Sequence, residues 1–260
     1  MIIIQPIGGL CNRMRAINSA LVLAEKRSEK LHVLWNINPE LGCPFEQLFQ
    51  PTDRFILRNI RSKFDPVKMA YQLSCSRIGN DEIRSNRNEN GLLESYYTSL
   101  PKRLYIATEE HFFPNSDFGA FHPSDEIRKK ADGILREKAG RLVGVHIRRT
   151  DNKPAISGSS SDAFVKAMEK ELTQHPDTIF YLATDDLSEE AALRERFEGK
   201  IISNETRDLS RATVSGIRDA LLDLICLSET ELIIGSYFSS FTDIAAQLRG
   251  IPKIIAGKDV

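Results

Sequence analysis

The sequence predicts a parallel α/β protein built in two halves. Three observations support this. Short β-branched runs alternate with amphipathic helical stretches, the pattern of strand–helix units. The runs are apolar almost throughout, as strands covered on both faces must be. At 260 residues the chain is long enough for one large domain or two small ones.

Ile2-Ile3-Ile4 is the first strand, and the Gly8-Gly9 turn leads into a helix from about Asn12 to Lys26. Met14, Ile17, Leu21 and Ala24 line one face of that helix. A second strand spans Leu31 to Trp35. Residues 40–120 show no clear period. There NDEIRSNRNEN (80–90) reads as a solvated loop and Leu104 to Ile106 as a strand. Helical spacing returns from Ser124 to Lys138 through Ile127, Ala131, Ile134 and Leu135. Beyond it, strands at Leu142 to Ile147, Ile179 to Ala183, Lys200 to Ile202, Leu232 to Ile234 and Ile254-Ile255 alternate with helices. Those helices run from about Asp162 to Gln174, Ser188 to Phe197, Val214 to Ser228 and Ser240 to Leu248. The boundary between the halves falls near residue 138, giving domains 1–138 and 139–260.

Composition narrows the function class. Basic and acidic residues number 35 and 36, for a net charge of -1, so no broad nucleic-acid footprint is expected and any phosphate recognition is local. The four cysteines are far apart with no C-x-x-C pair, which argues against a disulfide framework or a zinc site. The N-terminus has no basic n-region, and no run approaches the roughly 20 apolar residues of a membrane span. A soluble, cytoplasmic protein without an integral membrane segment is expected, one that could still act on a membrane-held substrate.

Five polar clusters stand out, most of them at predicted strand ends, where open parallel sheets bind their ligands. GVHIRRTD (144–151) ends a strand in cations, with His146 and Arg148 on one side and Ile147 and Arg149 on the other. Arg148 has the geometry for a bidentate phosphate contact, whereas Arg149 is expected to brace the scaffold by pairing with a carboxylate. IIIQPIGGLCNRMRAI (2–17) places Gly8 and Gly9 where backbone N–H groups can approach an anion. It lacks the G-x-G-x-x-G and G-K-[ST] patterns. Equally, the glycines serve any tight turn, Asn12 caps a helix, and Arg13 and Arg15 are surface charges. In YLATDD (181–186), Asp185 is read as ligand-facing, and Asp186, at capping-box spacing from Glu189, as a helix cap. RDALLDLICLSE (218–229) holds Asp223 among apolar neighbours one turn after Asp219, either as a polar stripe or as an acceptor for nucleobase N–H groups. In IIGSYFSSFTDIAA (233–246), Ser239 and Ser240 start a helix as a second anion cradle, as a cap with Asp243 at the third helical position, or as both.

GVHIRRTD, YLATDD, LLDLICLSETELIIGSYFSSF (221–241) and the Gly8 to Arg13 loop together resemble the GDP-fucose-dependent fucosyltransferase superfamily, which includes Nod-factor and core α1,6-fucosyltransferases and protein O-fucosyltransferases. The likeness covers most of the second half and is weak in the first beyond the glycine loop. It implies a GT-B architecture of two Rossmann-like domains facing across a cleft, the first on the acceptor side and the second holding the donor. It also implies inverting, metal-independent transfer from a GDP-sugar, which is a substrate and not a cofactor. By this resemblance Arg148 binds the β-phosphate, His146 and Asp223 approach guanine, Ser239 and Ser240 hold the diphosphate, and Asp185 belongs to the donor pocket with the Gly8, Gly9, Asn12 and Arg13 loop and Arg149.

The chain departs from the core-fucosylating relatives in one place. There a lysine follows HxRRxD directly, with an acidic residue soon after. Here Asn152 intervenes before Lys153, and residues 154–157 carry no carboxylate. Asp151, Glu109 and Glu110 are the candidate bases, with Asp151 placed beside Arg148 as catalytic. The expected partners are a nucleotide-sugar donor and a glycan or glycolipid acceptor. Alternatives are transfer from another nucleotide-sugar, a non-catalytic nucleotide- or glycan-binding module of the same fold, and a phosphate-ester hydrolase using His146, for which the sequence offers no nucleophile or metal cluster.

Overall fold

A computed structural model describes every residue except 116, 137–139, 151 and 260. The chain divides into two compact units, Met1–Ser124 with Ser210–Arg218 and Asp125–Leu209 with Asp219–Val260.

In the first unit the chain runs β1 (Ile2–Pro6), α1 (Leu10–Lys26), β2 (Leu31–Asn36), β3 (Ile56–Ile60), α2 (Pro66–Ser74), β4 (Ser76–Ile78), α3 (Asn80–Ser85), β5 (Arg87–Asn88), β6 (Gly91–Leu92), α4 (Glu94–Ser99) and β7 (Leu104–Thr108). Five parallel strands form its sheet in the order β3-β2-β1-β7-β4. The predicted face of α1 is buried, as are Leu10, Ala16, Ala20 and Leu23, so this helix is covered on most sides. The NDEIRSNRNEN tract is not the solvated loop that its polarity predicts. Ile83 is fully buried and anchors α3, with Asp81 and Glu82 at the positive end of the helix, and β5 then pairs with β6. One buried side chain in six residues is too little to show a period.

The second unit contains α5 (Asp125–Leu135), β8 (Leu142–Ile147), α6 (Lys153–Gly158), α7 (Ser161–Gln174), β9 (Ile179–Thr184), α8 (Leu187–Arg196), β10 (Ile201–Ile202), α9 (Val214–Ser228), β11 (Leu232–Gly235), α10 (Ser240–Arg249) and β12 (Lys253–Ile255). Its parallel sheet has the order β10-β9-β8-β11-β12, the doubly wound arrangement in which chain direction across the sheet reverses between β8 and β11. Val143, Val145 and Ile147 pack with Phe164 and Met168 of α7 in one core. On the other face Gly144 leaves room for Leu227 of α9, where a Cβ would come within 2.9 Å.

The units part at Ser124 and not near residue 138, because α5 is tied to the second one: Arg128 pairs with Glu229 at 2.5 Å and Lys130 with Asp219 at 3.1 Å. Residues 210–218 return to the first unit, where Gly42 N–H donates to the Arg211 carbonyl at 2.8 Å.

Candidate functional site

The strand-order reversal of the second unit lies between the C-terminal ends of β8 and β11, where a doubly wound sheet leaves its ligand crevice. Alternation along β8 turns His146 away from the Phe164 core and toward α10. Its Nδ1 lies 2.7 Å from the Thr242 hydroxyl, and its ring stacks on Phe241 with centroids 4.7 Å apart. Burial, reinforced by the nearby Arg148 cation, pushes the imidazole pKa down to about 3, so the ring is neutral at ordinary pH. Gly235, the last residue of β11, is what lets α10 come this close, since any Cβ there would overlap the Thr242 side chain.

Arg148 is the first residue past β8. Its N–H donates to the Ser236 hydroxyl at 2.9 Å, and that hydroxyl donates to the His146 carbonyl at 3.2 Å. Its guanidinium lies 3.2 Å from Asp185. The Asp185 carboxylate also accepts from Arg149 N–H at 2.7 Å, Thr150 N–H at 3.3 Å and the Thr150 hydroxyl at 2.6 Å. Burial alone would raise its pKa, but these donors and the Arg148 charge hold it below the ordinary carboxylate range. Asp185 therefore shapes the 148–150 turn and aims Arg148. Arg149 points to the other side, pairing with Glu189 at 3.2 Å, donating to the Ser159 carbonyl at 2.9 Å and covering the Phe164 ring. Its guanidinium braces the scaffold through a carboxylate, the role read from the sequence, and these contacts do not face the donor pocket in which the resemblance puts Arg149. Asp186 caps α8 through Ser188 and Glu189 N–H groups.

The loop after β11 presents Phe238, which is 72% exposed and held at φ +50, a left-handed conformation rare outside glycine. Its carbonyl accepts from the Asn152 side-chain amide at 2.9 Å, while the Asn152 oxygen caps α6 at Ala155 N–H, 3.2 Å away. The residue that sets this chain apart from the core-fucosylating pattern thus ties α6 to the Phe238 loop. Ser239, not Ser240, occupies the cap position of α10, which puts Asp243 one place beyond the capping-box position; there it pairs with Lys253. The Ser239 hydroxyl makes no capping bond, and the first turn that it precedes carries the positive end of the helix dipole.

Asp223 is nearly buried on α9 and accepts from the Tyr181 hydroxyl at 2.6 Å. Burial pushes its pKa up to about 7 against the lowering effect of Tyr181. Asp219, one turn earlier, receives Lys130 and Asn204 at 3.1 Å each and Asp208 N–H at 2.9 Å, so it fastens the loop following β10.

The first unit has its own reversal, between β1 and β7. Gly8 adopts φ +78, and its N–H lies 3.3 Å from Glu40 Oε2. Gly9 is the cap residue of α1. Asn12 donates to Glu109 at 3.1 Å. Arg13 is not the surface charge of the plainer sequence reading. It is wholly buried, donating to the Gly8 carbonyl at 2.8 Å, Asn38 Oδ1 at 2.9 Å and the Asn36 carbonyl, with Trp35 beneath it. Glu110 is bound by Arg84 at 2.6 Å and Arg87 at 2.9 Å. Asp151 lies outside the described residues. Among the described residues, no group of three or more His, Cys, Asp and Glu side chains gathers to hold a metal ion.

No protein-family signature matches the sequence, and no curated protein matches it. Solved structures do. NodZ α1,6-fucosyltransferase soaked with GDP-fucose is similar over 95% of this chain and 92% of its own, with a TM-score of 0.65 at 17% identity. A mutant of Arabidopsis thaliana FUT1 in complex with GDP covers 98% of this chain and 69% of its own, with a TM-score of 0.64 at 15% identity. POFUT1 in complex with GDP covers 98% of both chains, with a TM-score of 0.62 at 13% identity. The chain has the fucosyltransferase fold. Its two sheets are the Rossmann-like units of the GT-B class.

Within this fucosyltransferase fold, the second unit brings His146, Arg148, Arg149, Asp185, Ser239 and Ser240 to the C-terminal edge of one sheet, while Asp223 lies on α9 against Tyr181 of β9. Gly8, Gly9, Asn12 and Arg13 gather in the first unit. Sequence reasoning missed Ser236, Thr242, Thr150 and Tyr181, which position the named residues. Only Thr242 carried a usable signal, three residues past a serine cap at the start of an amphipathic helix.

Proposed function

We propose that the protein is an inverting, metal-independent glycosyltransferase that moves fucose from GDP-fucose to a hydroxyl of a glycan or glycolipid acceptor. One observation carries this reading: the Asp185-aimed Arg148 and the α10 N-terminus at the strand-order reversal of the second unit. Both features stabilise a departing diphosphate. Structures of the same fold hold GDP or GDP-fucose, which points to that diphosphate as GDP's.

In this reaction the acceptor oxygen bonds to C1 of the sugar as the C1–O bond to the β-phosphate breaks, inverting the anomeric centre. The bonding pair leaves on the phosphate oxygen, where Arg148, Ser239, Ser240 and the first turn of α10 balance the growing charge. The acceptor proton passes to a carboxylate, for which Asp151 and Glu109 are the candidates; Glu110 is held by its two arginines. His146 and Asp223 serve guanine, a role for Asp223 that requires its ionised form. In the first unit, Gly8, Gly9 and Asn12 are assigned to donor binding by the resemblance, with Arg13 as the buried strut of their loop. The first unit takes the acceptor side, and no cofactor takes part.

Calorimetry with GDP, UDP, ADP and CDP tests the donor site without added metal. GDP is expected to bind selectively, and Arg148→Ala to weaken it by about 2 kcal/mol, the worth of a charge-assisted contact. Binding of none of these nucleotides, or equal binding unchanged by the substitution, rules the reading out. Transfer from GDP-fucose in the presence of a chelator, with product configuration read by NMR, then tests sugar, inversion and metal independence. The absence of any carboxylate in residues 154–157 favours one rival, a non-catalytic module. It predicts GDP binding with no turnover on any acceptor.

A further inference from the structure

The helix α2 is apolar on its outer side as well as its inner one. No residue of it is buried. Tyr71 on its inner side, with Cys75 just beyond its end, packs against the core of Ile3, Leu34, Ile60 and Tyr105. Its outer side, where a soluble helix carries charge, instead presents Pro66, Met69, Ala70 and Leu73, all exposed. Their spacing of three, four and seven residues makes a single stripe. Leu73 is 86% exposed, and Phe64, two residues before the helix, is 81% exposed. Among the described residues, ten large hydrophobic side chains are exposed, and four of them, Ile56, Phe64, Met69 and Leu73, fall in this short segment. Such clustering is how a binding face is built, since scattered apolar residues need no explanation.

The charge around the stripe indicates the partner. Between Ile56 and Ile78 the sequence carries Arg58, Arg61, Lys63, Lys68 and Arg77 against the single acid Asp65, in a chain whose net charge is -1. Asp65 is engaged, capping α2 at Lys68 N–H and pairing with Arg58, each at 3.0 Å. Arg61 and Lys63 are exposed beside Phe64 at one end of the stripe. At the other end Arg103 donates to the Ser74 hydroxyl at 3.0 Å. An apolar stripe with a cation at each end matches a bilayer surface, whose acyl boundary takes the apolar groups while anionic headgroups meet the cations. A folded protein partner fits less well, because a two-turn stripe falls far short of the roughly 800 Å² per side of a stable interface. No helix of the described residues is long and apolar enough to cross a membrane, so the contact would be peripheral.

We propose that the outer face of α2, with Phe64, docks the protein on an anionic lipid surface. This is independent of the glycosyl-transfer reading. The test is co-sedimentation of the full chain with phosphatidylcholine vesicles, with and without phosphatidylglycerol. Binding to the anionic vesicles is expected to be stronger by about tenfold or more and to collapse at about 0.5 M salt, where charges are screened within a few ångströms. The Phe64→Ser/Leu73→Ser variant should lose most of that binding at low salt. The Arg61→Glu/Lys63→Glu variant should lose the preference for anionic vesicles. GDP binding should be unchanged in both, which separates failure here from failure of the donor site. Equal binding to both vesicle types, or anionic binding intact in both variants, overturns the proposal. So does a concentration-dependent dimer that Leu73→Ser dissociates, because the face would then belong to a second copy.

Discussion

Asp185 and Asp223 meet opposite solvation problems within one unit. Asp185 is surrounded by donors, three on the 149–150 turn and one on Arg148, and stays ionised. Asp223 accepts from Tyr181 inside an apolar helix, too little to offset the cost of burying a charge, and its pKa rises to about 7. In the unfolded chain Asp223 would release its proton near pH 4. The folded state therefore binds the extra proton between about pH 4 and 7, and the stability linked to Asp223 is full below that window and lost as pH rises through it. Urea unfolding of wild type and Asp223→Asn should show their stability difference declining across this range. A difference flat with pH would mean that the carboxylate is already charged in the fold. Subtracting the variant is essential, because Asp185 and Glu190, with lowered pKa values, slope the other way. If Asp223 receives guanine N–H groups, GDP should also bind more tightly as pH rises through about 7, and less so in the variant.

Legibility from sequence followed how many buried contacts each element makes. In the second unit, β8, β9 and β11 with α7, α9 and α10 were readable to within a residue or two, since each buries a face or a run, and α8, which buries only Leu193, was readable from its Asp186 cap. In the first unit, β3, β4, α2 and α3 were not. Those strands have three to five residues with few buried, and α2 buries none, so neither period is expressed. At the candidate site, Arg148 and the α10 start were legible because cations and serines at a strand end are conspicuous. The braces were not: the contact of Thr242 with His146 bridges 96 positions, and that of Tyr181 with Asp223 bridges 42. Two substitutions test the elements themselves. Gly235→Ala should push α10 off β11 and cost about 1–3 kcal/mol in chemical denaturation, with weaker GDP binding because the helix start moves. Asp186→Ala should cost about 1 kcal/mol, the worth of a cap, and leave GDP binding intact. Equal effects of the two on binding would mean that the closeness of α10 to the sheet is immaterial.

At the scale of the whole molecule, two sheets of the same parallel, doubly wound kind, with their helices, account for nearly all the regular structure, with one departure from a simple tandem. Residues 210–218 lie 86 positions or more beyond Ser124 yet complete the first unit. Ala212 sits so close to Gly42 that a Cβ on the glycine would overlap its carbonyl group. The first five residues of α9 count with the first unit and the rest with the second. A fragment ending at Ser124 should therefore unfold at a lower temperature than the same fragment supplied with a 210–218 peptide, and calorimetric scanning of the two would show it. The same feature sets a schedule during synthesis. A ribosome extruding this chain releases residues 1–124 long before the segment that finishes them. The second unit's β8, β9 and β10 emerge in the interval, so the earlier unit is completed only after much of the later one is already outside the exit tunnel.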